Sequence, residues 1–77
     1  MDKLKFFEEL EIILELDSGS ITGEEQLSDL GGWDSLAILS FISMVDEKMG
    51  MTLEPKRIAK CLTPMDLCQL CGDGVVG

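Results

Sequence analysis

Apolar side chains return every three or four residues along residues 3–16, where Phe6, Phe7, Leu10, Ile13 and Leu14 make one broad face. Glu8, Glu11 and Glu15 fall on the far side, so the stretch reads as an amphipathic helix with nothing catalytic on its core face. Asp17-Ser18-Gly19-Ser20 closes it. Residues 17–33 form a loop longer than most connections in small bundles. Ile21, Leu27 and Leu30 are expected to pin this loop to the core, while Glu24, Glu25 and Asp29 stay in water. The strongest helical pattern follows over residues 35–49. Its buried stripe is Ile38, Phe41, Ile42, Val45 and Met49, with Leu39 on one margin and Gly50 placed to end the helix.

After a short extended link, Met51-Thr52-Leu53, Pro55 opens a short helix over residues 55–61, at a first-turn position where a missing N–H costs little. The last helix starts with Thr63 as cap, Pro64 in the first position and Asp66 in the third. Leu67, Cys68 and Cys71 face inward along it and Gly72 stops it. Residues 73–77 read as a frayed, disordered tail. No repeat, low-complexity tract or linker divides the 77 residues. The expectation is a single domain over residues 1–77, all-α: a small four-helix bundle of three longer helices and one short one.

The second long helix is unusual on the face opposite its stripe. Leu36, Ser40, Met44 and Glu47, with Ala37 on the edge, form a mixed strip of small, apolar and polar residues. Single exposed apolar side chains are ordinary. Two on one outward strip, beside a candidate modification site, point to a docking surface for partner proteins.

Charge and composition narrow the functions open to such a bundle. The net charge of −9 excludes generic nucleic-acid binding, which needs a basic footprint, and suits partners with basic surfaces. Residues 1–54 hold thirteen acids and three bases (−10), residues 55–77 two acids and three bases (+1), so partners should approach the first two thirds. There is no histidine and no tyrosine, so serine or cysteine catalysis lacks its commonest base and a self-sufficient enzyme is not expected. No leader and no long apolar run point to export or a membrane span. Three cysteines, an odd number, fit a reducing cytoplasm better than a disulfide framework. Cys68-Gln69-Leu70-Cys71 has CxxC spacing and Cys61 adds a third thiol. Zinc would want a fourth ligand or a second such pair, and a redox pair a βαβ setting. These cysteines read as small apolar core residues.

The remaining chemistry lies in Leu30-Gly31-Gly32-Trp33-Asp34-Ser35-Leu36. Asp34 is the better helix cap, with Trp33 before it and Ile38 after it at the spacing of a hydrophobic staple. Ala37 stands where a capping box would put Glu or Gln. Ser35 then occupies the first helical position with its hydroxyl free, and a phosphate ester there would lie beside unpaired N–H groups. Serine is also a common cap in its own right, and local chemistry alone favours that ordinary role.

Asp34-Ser35-Leu36 resembles the signature of acyl and peptidyl carrier proteins, whose serine carries phosphopantetheine through a phosphodiester. The resemblance covers nearly the whole chain, including Met49-Gly50-Met51-Thr52-Leu53 after the second helix and Thr63-Pro64-Met65-Asp66-Leu67 at the start of the last. It implies a bundle of acyl-carrier-protein type and a covalent phosphopantetheine arm, from coenzyme A, on Ser35, flanked by Asp34 and Leu36. It further implies a monomeric, non-catalytic, cytoplasmic carrier that holds acyl groups as thioesters. A phosphopantetheinyl transferase, an acyl- or aminoacyl-loading ligase and downstream acyl-transfer enzymes would be its partners, with Leu36, Ala37, Ser40, Met44 and Glu47 as the partner face. The chain departs from fatty-acid carriers at Ala37 and Ser40, and at Lys56, Arg57 and Lys60, where those proteins are often acidic. That implies a dedicated carrier of a specialised pathway. An aminoacyl or peptidyl carrier is the nearest alternative; an unmodified helical interaction module is a more distant one.

Overall fold

The first helix, α1 (Lys3–Leu14), is capped by Asp2, whose carboxylate accepts the Lys5 N–H at 2.8 Å. In this computed structural model, which describes residues 1–76 apart from the Asp73 side chain, α1 ends two residues before its apolar period does. Glu15 turns left-handed (φ 57°), and the Glu15 and Leu16 N–H groups bond back to Ile12 and Glu11 carbonyls. These paired bonds close the helix as a Schellman turn, satisfying carbonyls that would otherwise be orphaned. Phe6, Phe7, Leu10 and Leu14 are buried as expected, and Ile13 is half-buried.

Glu11 corrects the sequence reading. It is only 4 % exposed, and its Oε2 accepts the Ile21 N–H at 2.9 Å. At about 100° per residue Glu11 sits on the margin of the Phe7–Leu14 face, and the returning loop folds over that margin. Ile21 and Leu27 bury as the loop's anchors, with Leu30 half-buried. Leu27 opens a 3₁₀ turn (Leu27–Asp29) and donates its N–H to the Leu62 carbonyl at 2.8 Å. Thr22 and Gly23 donate N–H groups to Glu25. Partial desolvation raises the Glu25 pKa, but these bonds outweigh it and leave the carboxyl below its ordinary value. Gly23 has φ 111°, and a Cβ there would meet the Phe7 ring at 3.1 Å and Met65 at 3.2 Å. Only glycine lets the loop pass this close to the core.

The long helix α2 (Ser35–Met49) ends on Gly50 (φ 66°), as its sequence implies. A short helix, α3 (Pro55–Ala59), buries Ile58. It stops before residue 61, because Lys60 and Cys61 form only three-residue turns to Arg57 and Ile58. The last helix, α4 (Pro64–Cys71), has a full capping box: Thr63 Oγ1 accepts from Asp66 N, and Asp66 accepts from Thr63 N. Leu67, Cys68 and Cys71 all point inward. α1 packs on α2 and α4, and α3 bridges α2 and α4. Phe6 and Phe41 meet edge-on at 5.8 Å in the centre. The architecture is an all-α bundle of three longer helices and one short one, as the resemblance implies.

Residues 73–77, expected as a frayed tail, include a segment tied to the start of the chain. Lys3 N–H donates to the Val76 carbonyl, Val76 N–H to the Met1 carbonyl, and the terminal ammonium to the Gly74 carbonyl. A single parallel bridge pairs Asp2 with Val76. The tail has partners because the two chain ends meet in space; Gly77 lies outside the described residues.

Candidate functional site

Gly31 (φ 69°) and Gly32 (φ 81°) take two left-handed steps in succession, a turn that side-chain-bearing residues would resist. They deliver the chain to Asp34, whose N–H closes back on the Gly32 carbonyl at 2.9 Å. Asp34 is extended (φ −124°), and its carboxylate accepts the Ala37 N–H at 3.0 Å. Its carbonyl accepts the first intrahelical bond, from Ile38 N–H at 2.9 Å. The cap expected at Asp34 is therefore made. Trp33 and Ile38, the two residues at staple spacing, both pack against the core, and the Trp33 ring meets Phe41 edge-on at 6.1 Å.

Ser35 is the first residue of α2 and is exposed, as are Asp34 and Leu36 on either side. The Asp34 carboxylate serves the third N–H of the helix. The N–H groups of Ser35 and Leu36 precede the first intrahelical bond and lie at the positive end of the helix. An exposed hydroxyl beside free backbone donors, with the neighbouring carboxylate turned into its own helix, suits an anionic ester on Ser35. The donor set fits phosphopantetheine.

The comparison with protein families matches residues 7–71 to the family described as phosphopantetheine attachment site. The chain belongs to that family. It is a carrier protein domain, and phosphopantetheine is its covalent cofactor. Domains of this family carry groups without catalysing reactions on them, and work with a phosphopantetheinyl transferase and acyl-transfer partners. No curated protein and no solved structure gives a significant match.

The strip expected to face outward on α2 divides in two. Leu36, Ser40 and Glu47 are exposed, Leu36 to 73 %. Ala37 and Met44 are buried, each only 7 % exposed, which corrects their assignment to an outward strip. The cause is α1, which packs along this side of α2 and is joined to it by Lys48 and Glu9 at 3.6 Å. Phe41 and Val45 are fully buried, while Ile38, Ile42 and Met49 are half-buried, so the buried arc is turned toward α1. Leu39, read as a margin of the core, is 58 % exposed. Leu39 and Ser43 belong with Leu36, Ser40 and Glu47; the spacing 36, 40, 43, 47 marks the strip, and Leu39 joins it three residues after Leu36 and four before Ser43.

The three cysteines are free thiols. Burial pushes the Cys71 thiol up to about 11, with the neighbouring Cys68 and Cys61 adding to the rise. Burial also raises Cys68 and Cys61, the first partly offset by Lys3 and the second reinforced by Asp66. Among the described residues no group of three or more His, Cys, Asp or Glu side chains is placed to hold a metal ion, and no helix is long and apolar enough to cross a membrane.

Proposed function

We propose that Ser35 is the residue of this carrier domain that bears the phosphopantetheine. The observation that carries the assignment is the division of labour at the start of α2: Asp34 makes the cap, so the exposed Ser35 hydroxyl is left for esterification. On the transferase, Ser35 Oγ would attack the pantetheine-bearing phosphorus of coenzyme A, so that the new phosphodiester forms as the pyrophosphate bond breaks, adenosine 3′,5′-bisphosphate leaves and the serine proton passes to the transferase. Asp34 holds the first turn in place through Ala37, and the N–H groups of Ser35 and Leu36 stabilise the added negative charge. When bound, the cofactor supplies a terminal thiol that holds cargo as a thioester. The chain supplies the handle, the attachment point and the surface that partners read.

We further propose that the cargo is acyl and the pathway specialised, with residues 1–77 acting as one carrier domain in a reducing compartment. The support is the exposed basic run Lys56, Arg57 and Lys60 on and beside α3, and the small residues Ala37 and Ser40 after Ser35, which depart from the acidic pattern of fatty-acid carriers. Leu36 and Ser40 near Ser35, and Glu47 farther along α2, remain the exposed residues for partner recognition. Incubation with coenzyme A and a permissive phosphopantetheinyl transferase should add one phosphopantetheine, mapped to the peptide containing Ser35. Ser35→Ala should keep its helicity and accept nothing. A wild-type protein that stays unmodified, or a Ser35→Ala variant that is still modified, would refute the assignment. Intact mass from the native host then distinguishes acyl from aminoacyl cargo.

A further inference from the structure

Beyond its core face, α1 has two further sides. Glu9 and Ile13 turn toward α2, where Glu9 pairs with Lys48 at 3.6 Å and Ile13 borders the space beside Leu36 and Ser40. Leu4, Glu8 and Ile12, four residues apart, lie about 120° further round the helix, and all three are exposed. Six large apolar side chains are exposed among the described residues, and Leu4, Ile12 and Val76 are three of them. These three border a groove that runs beside α1. It opens as a hollow of about 400 Å³ between Asp2, Lys3, Leu4 and Val76. A second hollow, about 130 Å³, continues from Leu4 past Glu8 and Glu11, with Ser18, Gly19 and Ile21 of the loop on its other side. A third, about 170 Å³, reaches Ile12 and Leu16. Leu4 is shared by the first two, and Glu8, Glu11 and Ser18 by the last two, so the hollows run together along α1.

We propose that this groove is a second docking surface, which takes a basic amphipathic helix of a partner protein. The first support is shape. From Leu4 to Leu16 the helix rises about 18 Å, room for about three turns of a partner helix. A ridge of side chains four apart, as in Leu4, Glu8 and Ile12, is what a facing helix receives between its own ridges. The apolar ends, Leu4 with Val76 and Ile12 with Leu16, call for leucine-like anchors about two turns apart on the partner.

The second support is charge. Between the apolar ends the charged side chains bordering the groove are Glu8 and Glu11, both carboxylates. Glu11 is spent on the Ile21 N–H, and Glu8 pairs loosely with Lys5 at 3.9 Å. On a chain of net charge −9 that centre suits lysine or arginine from the partner. The same charge opposes a second copy of this chain or an anionic lipid surface in the groove. A partner seated here would leave Leu36, Ser40 and the start of α2 uncovered. A carrier domain passes its cargo from enzyme to enzyme, and a separate hold on α1 would keep it among them while its α2 face changes hands.

The test is binding of a synthetic helical peptide of about fifteen residues, with leucines at every third or fourth position and lysines flanking them, to the apo protein. NMR amide shifts should centre on Leu4, Glu8, Ile12, Ser18 and Val76. The same peptide with glutamate for lysine should bind at least about tenfold more weakly. Leu4→Asn combined with Ile12→Asn, at positions 77 % and 67 % exposed, should keep its helicity and bind the lysine peptide at least about tenfold more weakly. Leu62→Asn, exposed but away from the groove, should bind it unchanged. With the peptide at saturation, coenzyme A and a phosphopantetheinyl transferase should load the domain at an undiminished rate. Shifts centred on α2, equal binding of the two peptides, or loading blocked by the lysine peptide would each overturn the proposal. So would a dimer in sedimentation, or flotation with phosphatidylcholine vesicles, that the double variant abolishes; these would give the groove to a second copy or to lipid. A protein left unloaded with or without peptide would refute the reading of Ser35, while the peptide mapping would still decide the groove.

Discussion

Glu11 shows how one side chain fixes the path of a loop. Its carboxylate is buried beside Phe7 and Leu14 on α1 and accepts the backbone N–H of Ile21, ten residues on. Ile21 is itself 5 % exposed, so its N–H has no water to turn to if the carboxylate is removed. Leaving a buried donor unpaired costs about 1–3 kcal/mol. Glu11→Ala should therefore lower stability to urea by that amount, and Glu11→Gln, which keeps an acceptor oxygen, by clearly less. Equal losses in the two variants would mean that packing, not the hydrogen bond, is what Glu11 contributes. Ser35 is the converse case: its neighbour does the structural work, which is why Ser35→Ala should remove a function and spare the fold.

At the scale of elements, what was legible in the sequence is what depends on neighbours three or four residues away. Asp34 and Gly50 mark both ends of α2, and Thr63 with Asp66 marks the start of α4, because caps are satisfied locally. The geometry of the candidate site, the Asp34 cap and an exposed Ser35 in the first turn, was legible for the same reason. What the sequence did not reveal depends on which neighbour arrives and from where. The helical period gives the angle of each α2 residue, but not the angle at which α1 packs. The expected stripe centred on Ile38, Ile42 and Val45, whereas α1 draws Ala37 and Met44 into the contact and leaves Ile42 half-buried. The close of α1 at Glu15 and the pairing of Val76 with Asp2 are hidden likewise, since both are settled by distant partners or by one backbone angle. The mutational expectation on α2 changes accordingly. Met44→Ala should cost about 2–5 kcal/mol, the range for a buried methionine, and Ile42→Ala should fall at or below the bottom of that range. Urea denaturation of the two variants checks the order, and a near-silent Met44→Ala would return Met44 to the outward face.

The whole molecule carries its charge unevenly and at close quarters. Nine net negative charges occupy a body of about 27 × 25 × 18 Å, and residues 1–54 alone carry −10. The ion pairs among the described residues join Lys5 to Glu8 and Glu9, and Lys48 to Glu9, at 3.6–3.9 Å. Lys5 and Lys48 are exposed while Glu9 is half-buried, and ion pairs at a surface are each worth little, about 0–1 kcal/mol. Most carboxylates thus face one another through solvent, and the range of that repulsion depends on salt. The screening length is about 30 Å at 0.01 M and about 10 Å at 0.1 M ionic strength. At the lower value every charge feels every other across the full width of the protein; at the higher value only near neighbours interact. A folded chain holds these charges closer together than an unfolded one, so repulsion weighs against the fold. Its midpoint of thermal unfolding should rise as sodium chloride is raised from about 0.01 M to about 0.1 M, and magnesium should raise it further at matched ionic strength. With phosphopantetheine on Ser35, as proposed, the added negative charge would lie at the positive end of α2, where the helix dipole compensates it, so the modified protein should show nearly the same salt dependence. A midpoint that falls or stays level with salt would mean that the three ion pairs, which salt weakens, matter more to the fold than the carboxylates left without partners.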